Sequence, residues 1–134
     1  MANEREIQER VIQMRYLEGQ ANTIQQQMMI AENALISVDT AITSLKEMQN
    51  SKASEALTPL GAGVFAYTAL KTTEKVLIDI GSGIVAEKSV ADSLTILEER
   101  RENAISTAKA FADMLENIKS KYQEAGMRVQ ELRK

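Results

Sequence analysis

Three short segments of the chain have spacings that could bind a phosphate or a nucleotide. Lys88-Ser89 has the ending of a phosphate-binding loop, but Ser82 and Glu87 stand at the two positions that this motif requires as Gly. The triplets Gly61-Ala62-Gly63 and Gly81-Ser82-Gly83 lack the third Gly and the following helix of a dinucleotide site. Hairpin turns are therefore favoured over cofactor binding at both triplets.

The side chains that most often carry catalysis or bind metals are missing from the sequence. There is no His and no Cys, so imidazole bases, disulfides and thiolate zinc sites are excluded. The adjacent carboxylates Glu98 and Glu99 fit a solvated helix face better than a general acid and base pair. We predict that the chain is not an enzyme and binds no cofactor or metal.

Composition favours long helices with a narrow buried seam over a thick globular interior. The 134 residues include no Trp, 2 Phe and 3 Tyr. A net charge of −3 argues against a nucleic-acid partner, because phosphate binding depends on clustered Lys and Arg. The N-terminus is charged from Glu4 onward, and no run approaches the roughly 20 apolar residues of a membrane span. We expect no membrane partner and a cytoplasmic protein.

Apolar residues recur at alternating intervals of three and four in the first and last thirds of the chain, which is the heptad pattern of a coiled coil. In the first third they are Ile7, Met14, Leu17, Ala21, Ile24, Met28, Ala31, Leu35, Val38, Ile42 and Leu45. In the last third they are Val90, Leu94, Leu97, Ala104, Ala108, Phe111, Leu115, Ile118, Tyr122, Ala125, Val129 and Leu132. Arg10 and Arg101 interrupt the two seams. Each helix should span about 65 to 70 Å.

The two seams can pair with each other in an antiparallel register. If Leu45 faces Leu94, the layers match down to Ile7 facing Leu132, and large side chains face small ones. The expected polar contacts are Glu18 with Lys119, and the helix caps Asn3 with Glu6 and Ser89 with Asp92. Residues 50–54 should end the first helix. Pairing of either seam with another chain remains the alternative.

Between the helices the periodicity changes to that of short strands. Residues 57–60, 64–70, 76–80 and 84–88 are β-prone runs, which predict two hairpins. Four short strands cannot bury a core unaided, so their edges should join other subunits in an intersubunit β-barrel. The residues expected to carry this subunit assembly are Val64, Phe65, Tyr67, Val76, Ile78, Ile80, Ile84 and Val85.

The middle of the chain resembles a known family. Residues 58–63 (TPLGAG), a β-rich stretch, then residues 76–88 (VLIDIGSGIVAEK), flanked by heptad helices, are similar to the α-type subunit of archaeal prefoldin. Two hairpins rather than one favour the α type over the β type. The resemblance implies a single domain over residues 1–134, with an N-terminal coiled-coil helix over 1–50, hairpins over 57–88 and a C-terminal helix over 89–134. The fold class is mainly α, with a long antiparallel two-helix coiled coil and a central pair of β-hairpins.

The resemblance also implies a function. It implies a heterohexamer of two α and four β subunits that holds unfolded proteins without ATP and passes them to a group II chaperonin. The proposed client-binding tips consist of Ile7, Val11, Ile12, Met14, Met127, Val129 and Leu132. Flexible Met side chains suit unspecific apolar targets. The alternative for four of these residues is that they are only the last layers of the seam.

A second function remains open from the sequence. A scaffold built from the same fold by strand addition would form homo-oligomers or filaments from this chain alone. The holdase and the scaffold differ in whether a partner subunit is needed.

Overall fold

The computed structural model of the chain describes residues 2–51 and 55–134. Helix α1 is Ala2–Ser51 and helix α2 is Val90–Arg133. Between them lie strands β1 (Glu55–Gly61), β2 (Val64–Ala69), β3 (Lys75–Gly81) and β4 (Ile84–Ser89). The predicted segment that ends the first helix includes residues 52–54, which lie outside the described residues. Neither described helix contains a stretch apolar and long enough to cross a membrane.

The four strands form two separate antiparallel pairs, β1 with β2 and β3 with β4. Within the described residues of the chain they do not close into a barrel, as expected for a barrel formed between subunits. The mainly α fold with two central hairpins is thus confirmed.

Both hairpins turn through two residues with positive φ. Ala62 and Gly63 have φ of 50° and 78°, and Ser82 and Gly83 have 52° and 77°. Two successive positive φ values match the right-handed twist of the flanking strands and make the tight reversal possible. Each first strand also has one extra residue beside the turn, where the register shifts between Pro59 and Gly61 and between Asp79 and Gly81. The Gly-x-Gly triplets are therefore hairpin turns.

The chain divides into two compact units. The first contains the residues up to Leu35 together with Asn103–Lys134, and the second is Ile36–Glu102. In the second unit, Ile42 of α1, Ile78 of β3 and Leu97 of α2 form a buried cluster. Val38, Leu45 and Leu94 pack against it. These contacts agree with the antiparallel register predicted from the heptads, in which Ile42 faces Leu97.

In the first unit, the heptad pattern also marks the buried side of both helices. Leu17, Ala31, Ala125 and Val129 are buried, and the other predicted seam residues of this unit are half-buried. The seam is thus formed within the chain, which favours pairing of α1 with α2 over pairing of either helix with another chain.

One of the two predicted helix caps is present. The Asp92 backbone N–H donates to Ser89 Oγ at 3.1 Å, so Ser89 caps α2 as expected. Asn3 is not a cap, because α1 already includes Ala2. The carboxylate of Glu6 instead accepts a hydrogen bond from Arg128.

Two glycines provide opposite tests of backbone conformation. Gly19 lies inside α1, and a Cβ added there would meet nothing within 4 Å. Gly19→Ala should therefore raise the free energy of unfolding by about 1 kcal/mol, since Ala favours helix over Gly. Gly63→Ala should lower it by about 1 kcal/mol, because φ at this turn is +78°. Urea unfolding of both variants checks the pair, and a shift of both in the same direction would contradict it.

Candidate assembly and client-binding surfaces

One face of the β1–β2 hairpin consists of exposed apolar side chains. The register pairs Leu57 with Tyr67 and Pro59 with Phe65, which places these four residues on the same face. Tyr67 is 89% exposed, Phe65 is 58% exposed and Leu57 is also exposed. We call these four residues the hairpin face. A contiguous apolar face of this kind marks an interaction surface.

The β3–β4 hairpin has one face turned to its own helices. Ile78 is only 8% exposed because it packs on Ile42 and Leu97, and Val76 is half-buried. Ile80, Ile84 and Val85 are exposed, as are Val64, Phe65 and Tyr67 of the first hairpin. Unlike the other residues predicted for assembly, Ile78 is buried within the chain itself. Its contribution to subunit assembly stays a prediction.

Sequence reasoning missed three exposed leucines in the strands. Leu57, Leu60 and Leu77 are all exposed. The cross-strand partners could have indicated the exposure of two of them. Leu57 lies directly opposite Tyr67, and Leu77 lies directly opposite Glu87. Because facing residues project from the same side of a sheet, Leu57 belongs with Tyr67.

Polar contacts connect β3 to α2 in the second unit. The Val90 N–H donates to the Glu74 carbonyl at 2.9 Å. The Arg100 guanidinium donates to the backbone carbonyl of Asp79. Both bonds tie residues of the β3 region to the first turns of α2.

Arg101, the charged interruption of the second seam, pairs with α1. Its Nε lies 2.6 Å from Asp39 Oδ1, and both side chains are close to half exposed. The stem therefore lies along the seam while the guanidinium reaches its edge, as expected for a long side chain with a charged end. A pair this exposed contributes at most about 1 kcal/mol.

Four of the seven predicted tip residues line one groove in the first unit. The groove has a volume of about 670 Å³, and its walls include Val11, Met14, Met127 and Val129. Met127 is 64% exposed, whereas Val129 is buried and Val11 and Met14 are half-buried. Arg15, Glu18, Gln123, Gln130 and Arg133 provide polar atoms around it. The groove combines apolar walls with a polar margin.

The remaining tip residues do not line this groove. Ile12 is 66% exposed, while Ile7 and Leu132 are half-buried in the seam. The predicted exposure of Val11, Ile12 and Met127 thus holds for Ile12 and Met127, and Val11 is half-buried.

Glu18 has a different partner from the one expected. The Tyr122 hydroxyl donates to Glu18 Oε1 at 2.8 Å, where the sequence suggested Lys119. The hydrogen bond to this carboxylate raises the pKa of Tyr122, because the bond and the negative charge both favour the protonated phenol. The hydrogen bond holds the hydroxyl of Tyr122, a seam residue, at the surface.

Glu6 and Arg128 join the two helices in the first unit. Arg128 Nε donates to Glu6 Oε1 at 2.9 Å, and Nη2 donates to Oε2 at 3.4 Å. The hydrogen bonds from Arg128 hold the pKa of Glu6 below its usual range, because they favour the ionised carboxylate. The same contacts raise the pKa of Arg128.

The Glu6–Arg128 contact predicts that its contribution to the stability of the folded chain depends on pH. Since the pKa of Glu6 is lowered by folding, its contribution to stability is present above the ordinary glutamate pKa and lost as pH falls through the lowered value. In an NMR titration, the Glu6 carboxyl should titrate at a lower pH in the wild type than in Arg128→Gln. The exchange rates of nearby helical amides should rise over the same interval. An identical midpoint in both proteins would contradict the assignment.

The paired helices and the two inserted hairpins define a class of coiled-coil protein with an exposed β-hairpin surface. The chain belongs to the prefoldin family, since the family model described as "Prefoldin subunit" matches residues 17–134. Membership of this family of chaperones implies assembly with other prefoldin subunits.

Several relatives and one solved structure are similar to this chain. Prefoldin subunit alpha of Archaeoglobus fulgidus is 31% identical over 124 residues, which cover 92% of this chain and 90% of the relative. Prefoldin subunit alpha of Thermofilum pendens is 30% identical, covering 78% and 81% of the two chains. A filamentous PFD structure from Methanocaldococcus jannaschii matches with a TM-score of 0.71 and 14% identity, covering 84% of this chain and 93% of that one. The resemblance to the archaeal α-type subunit is confirmed.

Proposed function

We propose that this chain is a subunit of an ATP-independent holdase in the cytoplasm, which captures unfolded proteins and passes them to a group II chaperonin. The partner subunits are prefoldin β-type chains, in a hexamer of two α and four β subunits. Family membership and the α-subunit names of the relatives support this chaperone role. No ATP enters the proposed cycle, because capture requires only apolar contact.

The observation that carries the proposal is the apolar surface around the groove in the first unit. Met127 is exposed and lines the groove together with Val11 and Met14, while Ile12 is exposed on α1 outside the groove. Apolar side chains on unfolded polypeptides gain about 25 cal/mol per Å² when removed from water. A flexible Met at this position adapts to differently shaped partners. Weak contacts from several subunits would then sum to useful affinity.

The decisive experiment measures suppression of aggregation of a chemically denatured protein by this chain mixed with a β-type subunit. Deleting residues 1–14 and 125–134 should abolish suppression while the oligomer still forms. The double variant Ile12→Ser and Met127→Ser avoids removing buried seam residues and should also weaken suppression. Met29→Ser and Ile30→Ser, at exposed apolar residues elsewhere on α1, provide the matched control. Full suppression by the truncated protein would disprove the tip assignment.

A scaffold that forms homo-oligomers or filaments is the second candidate. It is supported by the likeness to a filamentous PFD structure, which at 14% identity concerns the fold, and by the exposed hairpin face. Electron microscopy of the purified single chain separates the two functions. Filaments or large homo-oligomers favour the scaffold, whereas assembly only after addition of a β-type subunit favours the holdase.

A further inference from the structure

Two arginines at the groove of the first unit have no partner within the described part of the chain. Five of the seven arginines use their guanidinium groups in contacts within the chain, namely Arg5, Arg10, Arg100, Arg101 and Arg128. The other two, Arg15 and Arg133, form neither an ion pair nor a side-chain hydrogen bond among residues 2–51 and 55–134. Both are exposed, and both line the groove. The unused guanidinium groups are therefore concentrated at the proposed client-binding surface.

The groove carries a net positive charge. Among its described lining residues, Glu18 carries the only carboxylate, and that carboxylate already accepts a hydrogen bond from Tyr122. Arg15 and Arg133 outnumber it, although the whole chain has a net charge of −3. A guanidinium presents its N–H donors in a planar array that matches a carboxylate. The charge around the groove thus favours an occupant with carboxylates over one with ammonium groups.

The two arginines lie towards opposite ends of the groove. The lining residues of α2 run from Tyr122 to Arg133. Glu18 accepts the hydrogen bond from Tyr122, and Arg15 precedes Glu18 by less than one helical turn. Arg15 therefore lies near the Tyr122 end of the groove, and Arg133 lies at the other end.

The length of the groove limits the size of its occupant. The wall from Tyr122 to Arg133 spans about 16 Å at a rise of about 1.5 Å per residue. An extended peptide covers this length with about five residues at about 3.3 Å each. Val11, Met14 and Met127 provide apolar walls along it. A short extended segment with an apolar centre and acidic ends therefore matches both the walls and the charged ends of the groove.

Gly126 leaves open space in the wall of the groove. It lies inside α2 and its φ is not positive, so the backbone there does not require glycine. Glycine also stabilises a helix less than alanine does. A Cβ added at Gly126 would lie 3.6 Å from Met14 Cε, which is an ordinary van der Waals contact. Alanine would therefore fit, but it would fill space beside Met14 that an occupant can use.

We infer that the groove binds short extended segments of unfolded protein in which an apolar centre is flanked by acidic residues. Arg15 and Arg133 select the carboxylates, and Gly126 provides depth for the apolar side chains. The inference rests on the proposed function for client binding at this surface, and it adds the class of segment that is bound.

Methionine methyl NMR of the full chain, assembled with a β-type subunit, tests the inference. The probes are three five-residue peptides, each with three central leucines and with aspartate, serine or lysine at both ends. Titration should shift the Met14 and Met127 methyl signals. The affinity should be at least about fivefold higher for the aspartate peptide than for the serine peptide, and lowest for the lysine peptide. At about 1 M salt the three affinities should converge, because the Debye length falls to about 3 Å.

The outcomes separate the inference from the proposed function. Equal affinities for the three peptides at low salt would overturn the inference and leave the proposed function intact. If no peptide shifted the Met14 or Met127 signals, both the inference and the tip assignment would be wrong.

Removal of the two guanidinium groups gives a second readout. Combining Arg15→Gln with Arg133→Gln should lower the affinity for the aspartate peptide to that for the serine peptide, whose own affinity should not change. The matched control combines Lys109→Gln with Lys121→Gln, which removes two exposed charges of α2 outside the groove. The control should keep the preference for aspartate. Equal loss of the preference in both proteins would overturn the inference, since net charge rather than the groove would then decide.

Two glycines of the first unit separate the depth of the groove from the stability of the helices. Gly126→Ala should weaken binding of the aspartate peptide at least about threefold, because the added methyl group fills the wall. Gly19→Ala, where an added Cβ meets nothing within 4 Å, should leave binding unchanged. Both substitutions favour the helix, so a loss of stability does not explain the difference. Equal binding by the two variants would show that Gly126 does not shape the groove.

Discussion

Replacing Phe65 and Tyr67 together with lysine is expected to leave the chain folded and to abolish its assembly. Both side chains are exposed on the hairpin face, so neither contributes much to the isolated chain. Covering an aromatic side chain contributes about 1.5 to 3 kcal/mol, and a buried lysine without a partner opposes association further. Loss of both contacts should weaken association by at least about a hundredfold.

Sedimentation velocity with a β-type subunit measures this effect, and circular dichroism checks that the helices are intact. Ile30→Lys is the matched control, since Ile30 is an exposed apolar residue of α1 outside the hairpin face. The control should assemble like the wild type. If the double lysine variant assembled normally, the hairpin face would not be the assembly surface.

The second large effect concerns Ile78, where we expect a loss of stability in the isolated chain. Ile78→Ala removes a side chain that packs on Ile42 and Leu97. Truncating a buried Ile to Ala lowers the free energy of unfolding by about 2 to 5 kcal/mol, since a cavity is left behind. Ile78→Asp should be worse, because an ionised carboxylate would be placed in that cluster.

Ile80 on the same strand provides the comparison for Ile78. It is exposed, so Ile80→Ala should change the free energy of unfolding by less than about 1 kcal/mol. Urea unfolding of both variants at low protein concentration separates stability from assembly. Equal losses at the two positions would show that Ile78 is not the residue that connects the hairpin to the helices.

Much of the fold could be predicted because a heptad pattern and a strand pattern differ in period. The heptads gave the buried side of α1 and α2, and the register predicted from Leu45 and Leu94 agrees with the observed contact of Ile42 with Leu97. Alternating intervals of three and four follow from helix geometry. They therefore mark the buried side of a helix even when the helix that packs against it is not known.

The candidate surfaces were harder to predict, because exposure depends on what covers a face. Strand alternation placed Val76, Ile78 and Ile80 together, but it could not show that the helices of the chain itself cover Ile78. The sequence also could not decide between Lys119 and Tyr122 as the partner of Glu18, since both line the same surface pocket as Glu18. Asn3 had the spacing of a cap, yet a helix that starts at Ala2 leaves it no capping position.

The junction between β4 and α2 has a mechanical consequence. Ser89 is both the last residue of β4 and the cap of α2, so no flexible segment separates strand from helix. The hydrogen bond from the Val90 N–H to the Glu74 carbonyl also connects the start of α2 to the residue before β3. A load applied to this hairpin by a neighbouring subunit is therefore transmitted directly to the first turn of α2. A change in the amide signals of Val90 and Asp92 would report that load.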